Sequence, residues 1–240
     1  MKNFPVVILP GWLLSSERYA ELTKEFTDSG FKTYVVDFPG FHPKYPLTRT
    51  LNLADYVKFL QKYLRLHKIE RAIFVAHSFG GRVAFKYLSQ EPRKAAALII
   101  TGTPGFLTVS RIKLRFYFYL AKFGGALFSI PLVDKIKDPI RKVFYKLVGA
   151  KDFYHAQGFT RETFKKIIAE ELVEYMRKMH VPTLLVWGEK DKTVPVKIAR
   201  RMQKVLFKSE LVIVPTVGHM LPCKEPEVFV HEVNKFLAQL

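Results

Sequence analysis

The sequence predicts an α/β protein: a mostly parallel sheet of about six strands flanked by helices, with a helical insertion ahead of the last two strands. Three observations carry that reading. Six short runs rich in Val, Ile and Leu recur along the 240 residues, continuous rather than alternating, as in strands covered on both faces. Segments with apolar residues at helical spacing separate them. One long stretch, 104–180, shows helical patterns without strands.

In chain order, "VVIL" (6–9) is the first strand, closed by Pro10 and Gly11. Residues 16–29 carry Tyr19, Leu22 and Phe26 on one helical face, and "TYVVDF" (33–38) forms the second strand. A helix over 51–66 presents Leu53, Val57, Leu60 and Leu64. "AIFVAH" (72–77) is the third strand, followed by a helix over 80–90 that ends near Pro92. "AALIITG" (96–102), "TLLVWG" (183–188) and "ELVIVPT" (210–216) supply three more strands. The last helix, 225–240, buries Val228, Phe229, Val233, Phe236 and Leu237. Strands alternating with helices imply right-handed crossovers. Residues 1–103 and 181–240 then make the core, and 104–180 an insertion over one end of the sheet.

With 49% hydrophobic and 25% charged residues, the chain has the balance of a folded globular protein. Its single cysteine, Cys223, cannot form an internal disulfide and demands no oxidising compartment. The N-terminal segment lacks a signal-peptide h-region. The longest uncharged stretch of the aromatic region, 123–133, contains Gly124, Gly125 and Pro131 and falls short of the roughly 18–20 residues a membrane span needs. A cytoplasmic location is expected. Much of the basic excess behind the net charge of +18 sits in the insertion, where Arg111 to Lys151 holds ten Lys and Arg against two Asp. Without zinc-finger spacing, an arginine-rich arm or an RNP-like strand, no nucleic-acid partner is expected. His and Cys spacings suit no metal site, so neither metal nor cofactor is expected.

Ser78 lies between "AIFVAH" and a helix, with Gly80 and Gly81 after it, in an A-x-S-x-G pattern where Ala76 replaces the usual first glycine. Alone, this serine fits a nucleophile at a strand-to-helix turn or a helix N-cap equally well. A nucleophilic hydroxyl needs a base, and the base needs an acceptor to orient it. His219, in the "PTVGHML" loop after the last strand, is the candidate base. Asp191, in "WGEKDKTVP", is the candidate acid, with Glu189 as fallback. The order Ser78, Asp191, His219, each just past a predicted strand, lets three loops converge at one end of the sheet. Two backbone N–H groups, of Phe79 and of Trp12 in "LPGW", are placed to stabilise an oxyanion.

The motifs "LPGW", "DFPGF", "AHSFGG", "WGEKDKTVP" and "GHM", in this order, resemble those of the α/β-hydrolase-fold serine hydrolases, carboxylesterase-like and with a helical cap. The resemblance implies that 104–180 is the cap, and that the chain begins at the family's third strand, giving a trimmed sheet. Pro10 stands where many members have histidine. It also implies a Ser78–His219–Asp191 triad with Trp12 and Phe79 as the oxyanion hole. The expected reaction is hydrolysis of small carboxylic esters of short to medium acyl chain, lactones included. Carbon–carbon bond hydrolysis, perhydrolysis, acyl transfer and non-catalytic binding are the alternatives. His77, Phe116, Phe123 and Phe128 are candidate substrate contacts, and the basic aromatic helix of the insertion is a candidate for weak contact with anionic membrane surfaces.

Overall fold

Each of the six apolar runs is a strand in the computed structural model, which describes residues 1–106 and 158–240. They are β1 (Val6–Leu9), β2 (Thr33–Val35), β3 (Ala72–His77), β4 (Ala95–Thr101), β5 (Thr183–Gly188) and β6 (Ser209–Val214). All neighbours are parallel and the spatial order is β2-β1-β3-β4-β5-β6. Every residue of β1, β3, β4 and β5 is buried, which explains why their sequences read as unbroken apolar runs.

Alternate side chains of these strands enter two separate cores. Val7, Leu9, Phe74, Ala76, Leu98, Ile100, Leu185 and Trp187 face one, while Val6, Ile8, Ile73, Val75, Ile99, Leu184 and Val186 face the other. The first is covered by α2 (Leu53–Leu66) and α3 (Phe79–Gln90), the second by α1 (Ala20–Asp28) and the C-terminal helix Pro226–Leu237. Helix α2 starts on a capping box: the Asn52 side chain accepts from the Asp55 N–H at 3.0 Å, and the Asp55 carboxylate accepts from the Asn52 N–H at 2.9 Å.

β2 is shorter than the run 33–38. Beyond it the Val36 N–H still donates to the Ile8 carbonyl at 3.0 Å, and then the Asp37 carboxylate accepts from the Ser16 N–H and hydroxyl at 2.7 and 2.8 Å, which ties the chain to the turn before α1.

Within 104–180, the described residues form α4 (Gly158–Ala169) and α5 (Val173–Arg177), with no strand among them. Ile167, Leu172 and Met176 enter the same core as Trp12 and Phe79. The buried guanidinium of Arg82 joins both ends of the segment to α3. Its Nη1 donates to the Pro104 carbonyl at 2.8 Å, and its Nη2 donates to the Ile167 and Glu170 carbonyls at 2.7 and 2.6 Å. Phe116, Phe123, Phe128 and the basic segment 111–151 lie outside the described residues. The remaining helices are α6 (Val196–Gln203), α7 (Leu221–Lys224) and α8, the C-terminal helix already given. Among the described residues no helix is long and apolar enough to cross a membrane.

Candidate active site

From β1 the chain moves outward to β2 and returns on the other side of β1 as β3, so the sheet switches direction between β1 and β3. The crevice beyond the carboxyl ends of such a strand pair is where α/β sheets place ligands. Register brings the relevant loops together there. Leu9 pairs with Ala76, setting residues 10–12 beside Ser78, and His77 pairs with Thr101, setting Gly102 on the opposite flank.

Ser78 occupies the N-cap position of α3 with φ 51° and ψ −108°, a strained conformation for a residue with a Cβ. Its side chain makes no capping hydrogen bond, so the hydroxyl is not spent on starting the helix. The turn is fixed by the Ser78 N–H donating to the Thr101 carbonyl at 2.9 Å. It is also fixed by close packing, since a Cβ on Gly80 would overlap the Leu9 carbonyl and one on Gly81 would overlap the Thr103 side chain. The methyl group of Ala76 is fully buried in the core, so alanine fits where the motif has glycine.

Asp191 lies past β5 in the loop before α6, its side chain 1% exposed. One carboxylate oxygen accepts from the Thr193 and Val194 N–H groups, both at 2.8 Å, and the other lies 2.8 Å from His219 Nδ1. An ionised carboxylate only accepts, so Nδ1 carries the proton and His219 Nε2 keeps its lone pair. The His219 side chain is 19% exposed and therefore reachable. Glu189 bonds instead to the Thr216 N–H at 3.3 Å and does not approach the imidazole. Among the described residues, the Ser78 hydroxyl and the His219 ring are not hydrogen-bonded to each other, a contact that in hydrolytic sites tightens once substrate is bound.

The two expected oxyanion donors flank Ser78. The Phe79 N–H opens α3 and belongs to the first-turn amides that no carbonyl of the helix can reach. The Trp12 N–H has no partner among the described residues. The side chains behind these amides are locked in an aromatic cluster: Trp12 meets Phe41 and Phe79 edge-on at 5.2 and 5.5 Å, and Phe79 meets Phe38 and Tyr56 at 5.6 and 4.9 Å.

The family described as alpha/beta hydrolase fold matches residues 5–226. The chain belongs to this family. It is 26% identical over 249 residues to the uncharacterized hydrolase YugF of Bacillus subtilis (strain 168), covering 97% of this chain and 89% of that one. It is 24% identical over 243 residues to the pimeloyl-[acyl-carrier protein] methyl ester esterase of Vibrio vulnificus (strain CMCP6), covering 96% and 93%. Among solved structures, a thermophilic esterase from Thermogutta terrifontis superposes with a TM-score of 0.72 at 18% identity, covering 98% of this chain and 90% of the other.

In this alpha/beta hydrolase one expected substrate contact does not reach the crevice. His77 is 1% exposed, and both its nitrogens are taken, Nδ1 by the Tyr19 hydroxyl at 2.7 Å and Nε2 by the His219 carbonyl at 3.0 Å. Burial pushes its pKa down to about 3, so the ring is neutral. Strand parity explains the placement. Ile73 and Val75 face the core that contains Tyr19, and His77 follows them, beneath the site and not in it. Sequence reading also missed Gly102, which lies against His219, and the hydroxyl of Tyr19, whose helical spacing reported its burial but not its partner. Among the described residues, no three His, Cys, Asp or Glu side chains gather to hold a metal ion. Cys223 lies on α7, and burial raises its thiol pKa to about 11.

Proposed function

We propose that this alpha/beta hydrolase is a serine esterase for carboxylic esters of short to medium acyl chain, lactones included. The observation that carries the reading is the Asp191–His219 pair at 2.8 Å, on loops beside a serine in a strained turn with an uncommitted hydroxyl. His219 Nε2 takes the Ser78 proton as Oγ attacks the acyl carbon, and Asp191 stabilises the resulting imidazolium. The Trp12 and Phe79 N–H groups receive the oxyanion, and the imidazolium returns its proton to the departing alcohol. Water, activated by the same histidine, then releases the acid from Ser78.

The same groups can serve carbon–carbon hydrolysis, perhydrolysis or acyl transfer. Ester hydrolysis is preferred because it is what the names of the Vibrio and Thermogutta proteins describe. A cavity of about 550 Å³ lies between residues 40–47 and the start of α4, and its lining includes none of Ser78, Asp191 and His219. Phe41, Pro43, Pro46, Leu47 and Phe159 give it apolar walls, and Phe41 touches Trp12. The test is a panel of p-nitrophenyl esters, lactones and diketones with a fluorophosphonate probe. Turnover and labelling that both vanish in Ser78→Ala are expected. A folded wild type that neither turns over any of them nor labels removes the proposal.

A further inference from the structure

A buried chain of hydrogen bonds runs beneath the site from the loop of Trp12 to the loop of His219. The Gly11 N–H donates to the Tyr19 hydroxyl oxygen at 2.8 Å, that hydroxyl lies 2.7 Å from His77 Nδ1, and His77 Nε2 lies 3.0 Å from the His219 carbonyl oxygen. Its protons follow by elimination. A carbonyl oxygen only accepts, so His77 Nε2 bears the hydrogen. With the ring neutral, Nδ1 is a lone pair and the Tyr19 hydroxyl must donate to it, leaving its oxygen to accept from Gly11. Every donor has an acceptor, and all three bonds point the same way, an arrangement in which each polarises the next.

We infer that Tyr19 and His77 are positioning residues for the reaction at Ser78, holding the Pro10–Gly11 peptide, one residue before the Trp12 N–H, and the His219 main chain in one fixed relation on either side of the nucleophile. The inference rests on the hydrolytic reading of the site. Packing ties the same groups together: a Cβ on Gly11 would lie 3.1 Å from His77 Nδ1, and the His77 and His219 rings are 5.0 Å apart. Tyr19 is fully buried. An apolar pair would fill the same space, but it would strand the Gly11 N–H and the His219 carbonyl and release both loops. The relay therefore couples the oxyanion donor at Trp12 to the base at His219, two parts of the site that are far apart in sequence.

Three variants separate the halves of the relay. Tyr19→Phe keeps the packing and removes the hydroxyl. His77→Gln keeps an N–H that can reach the His219 carbonyl, and His77→Asn keeps an acceptor for Tyr19 only. With p-nitrophenyl butyrate, Tyr19→Phe is expected to lower kcat by about tenfold or more while KM stays within about twofold, because the loss is of geometry and not of substrate contact. His77→Gln should retain more activity than His77→Asn. Adding Tyr19→Phe to His77→Gln should lower kcat less than Tyr19→Phe does in the wild type, since in His77→Gln the hydroxyl has lost its acceptor and keeps only the Gly11 N–H. A folded Tyr19→Phe variant with wild-type kcat, or additive losses in the double variant, overturns the relay. Histidine 15N NMR of the wild type gives an independent reading: neutral His77 protonated on Nε2 at pH 7 is expected, and an Nδ1–H tautomer overturns it. If the wild type neither turns over the ester nor labels at Ser78, the hydrolytic reading falls and takes the relay's function with it. If the wild type is active and Tyr19→Phe equals it, only the relay falls.

Discussion

Gly102 lies against the imidazole of His219, so close that a Cβ on it would stand 2.8 Å from Cε1 and 2.9 Å from Nδ1. Its φ of +57° is also one that a side chain disfavours. Gly102→Ala should therefore push the imidazole off its bond to Asp191. The expected result is a loss of about 100-fold in kcat, since displacements near 1 Å cost that much. The backbone adds a stability cost of about 1–2 kcal/mol. Ester kinetics and thermal melting read the two effects separately. An unchanged kcat would mean that His219 does not act from this position.

Asp191 sets the tautomer of His219, and its substitution tests that role. In Asp191→Asn the Thr193 and Val194 N–H groups still have an oxygen to bond, which leaves the amide NH2 facing Nδ1. That donor selects the tautomer with hydrogen on Nε2, the nitrogen that should accept the Ser78 proton. kcat is expected to fall by about 10³–10⁴-fold with folding intact. Fluorophosphonate labelling should slow in parallel. Labelling at the wild-type rate would show that Ser78 is activated by something else.

Much of this arrangement was legible because strand ends carry the chemistry. β3, β5 and β6 announce themselves as apolar runs, and Ser78, Asp191 and His219 follow them closely enough that the fold alone brings their loops to one end of the sheet. What stayed hidden depends on contacts between distant residues. Nothing local says that Asp37 will bond Ser16 or that β2 will end at Val35. Helix α6 was not anticipated because Ile198, Ala199 and Met202 are its only central apolar residues among Lys197, Arg200 and Arg201. The placement of His77 was half legible. Its neighbour Ser78 suggested the crevice, while parity with Ile73 and Val75 pointed to the opposite face, and the parity prevailed.

The neutral, buried His77 should weaken the fold in acid. Its pKa is about 3 in the folded chain and about 6.5 when unfolded, so between these values the unfolded state binds the extra proton. Stability then rises with pH across that window and is lost on acidification from about 6.5 towards 3. Between pH 7.5 and 4.5 this one residue should account for roughly 2–3 kcal/mol of the loss. His77→Gln cannot titrate, so its denaturation free energy should fall less than that of the wild type over the same interval. Parallel losses in the two proteins would assign the acid sensitivity to other groups.

Arg82 offers the corresponding test of how the insertion is attached. One turn beyond Ser78 on α3, its guanidinium spans the Pro104 carbonyl at one end of the segment and the Ile167 and Glu170 carbonyls near the other. Burial lowers its pKa to about 10, which leaves it charged at neutral pH with three carbonyl dipoles facing it. Arg82→Met removes the charge but strands three acceptors, for an expected loss of about 2–4 kcal/mol in denaturant unfolding. Arg82→Lys should be intermediate, because an ammonium cannot span the carbonyls with a planar fork. The Glu170 side chain keeps its own bonds to Lys86 and Tyr175, so the end of α4 is loosened and not freed. Amide exchange should accelerate in α4 and α5 while β3 and β4 keep their protection, because a local tether opens locally. Uniform acceleration across sheet and helices would instead make Arg82 a support of the whole core.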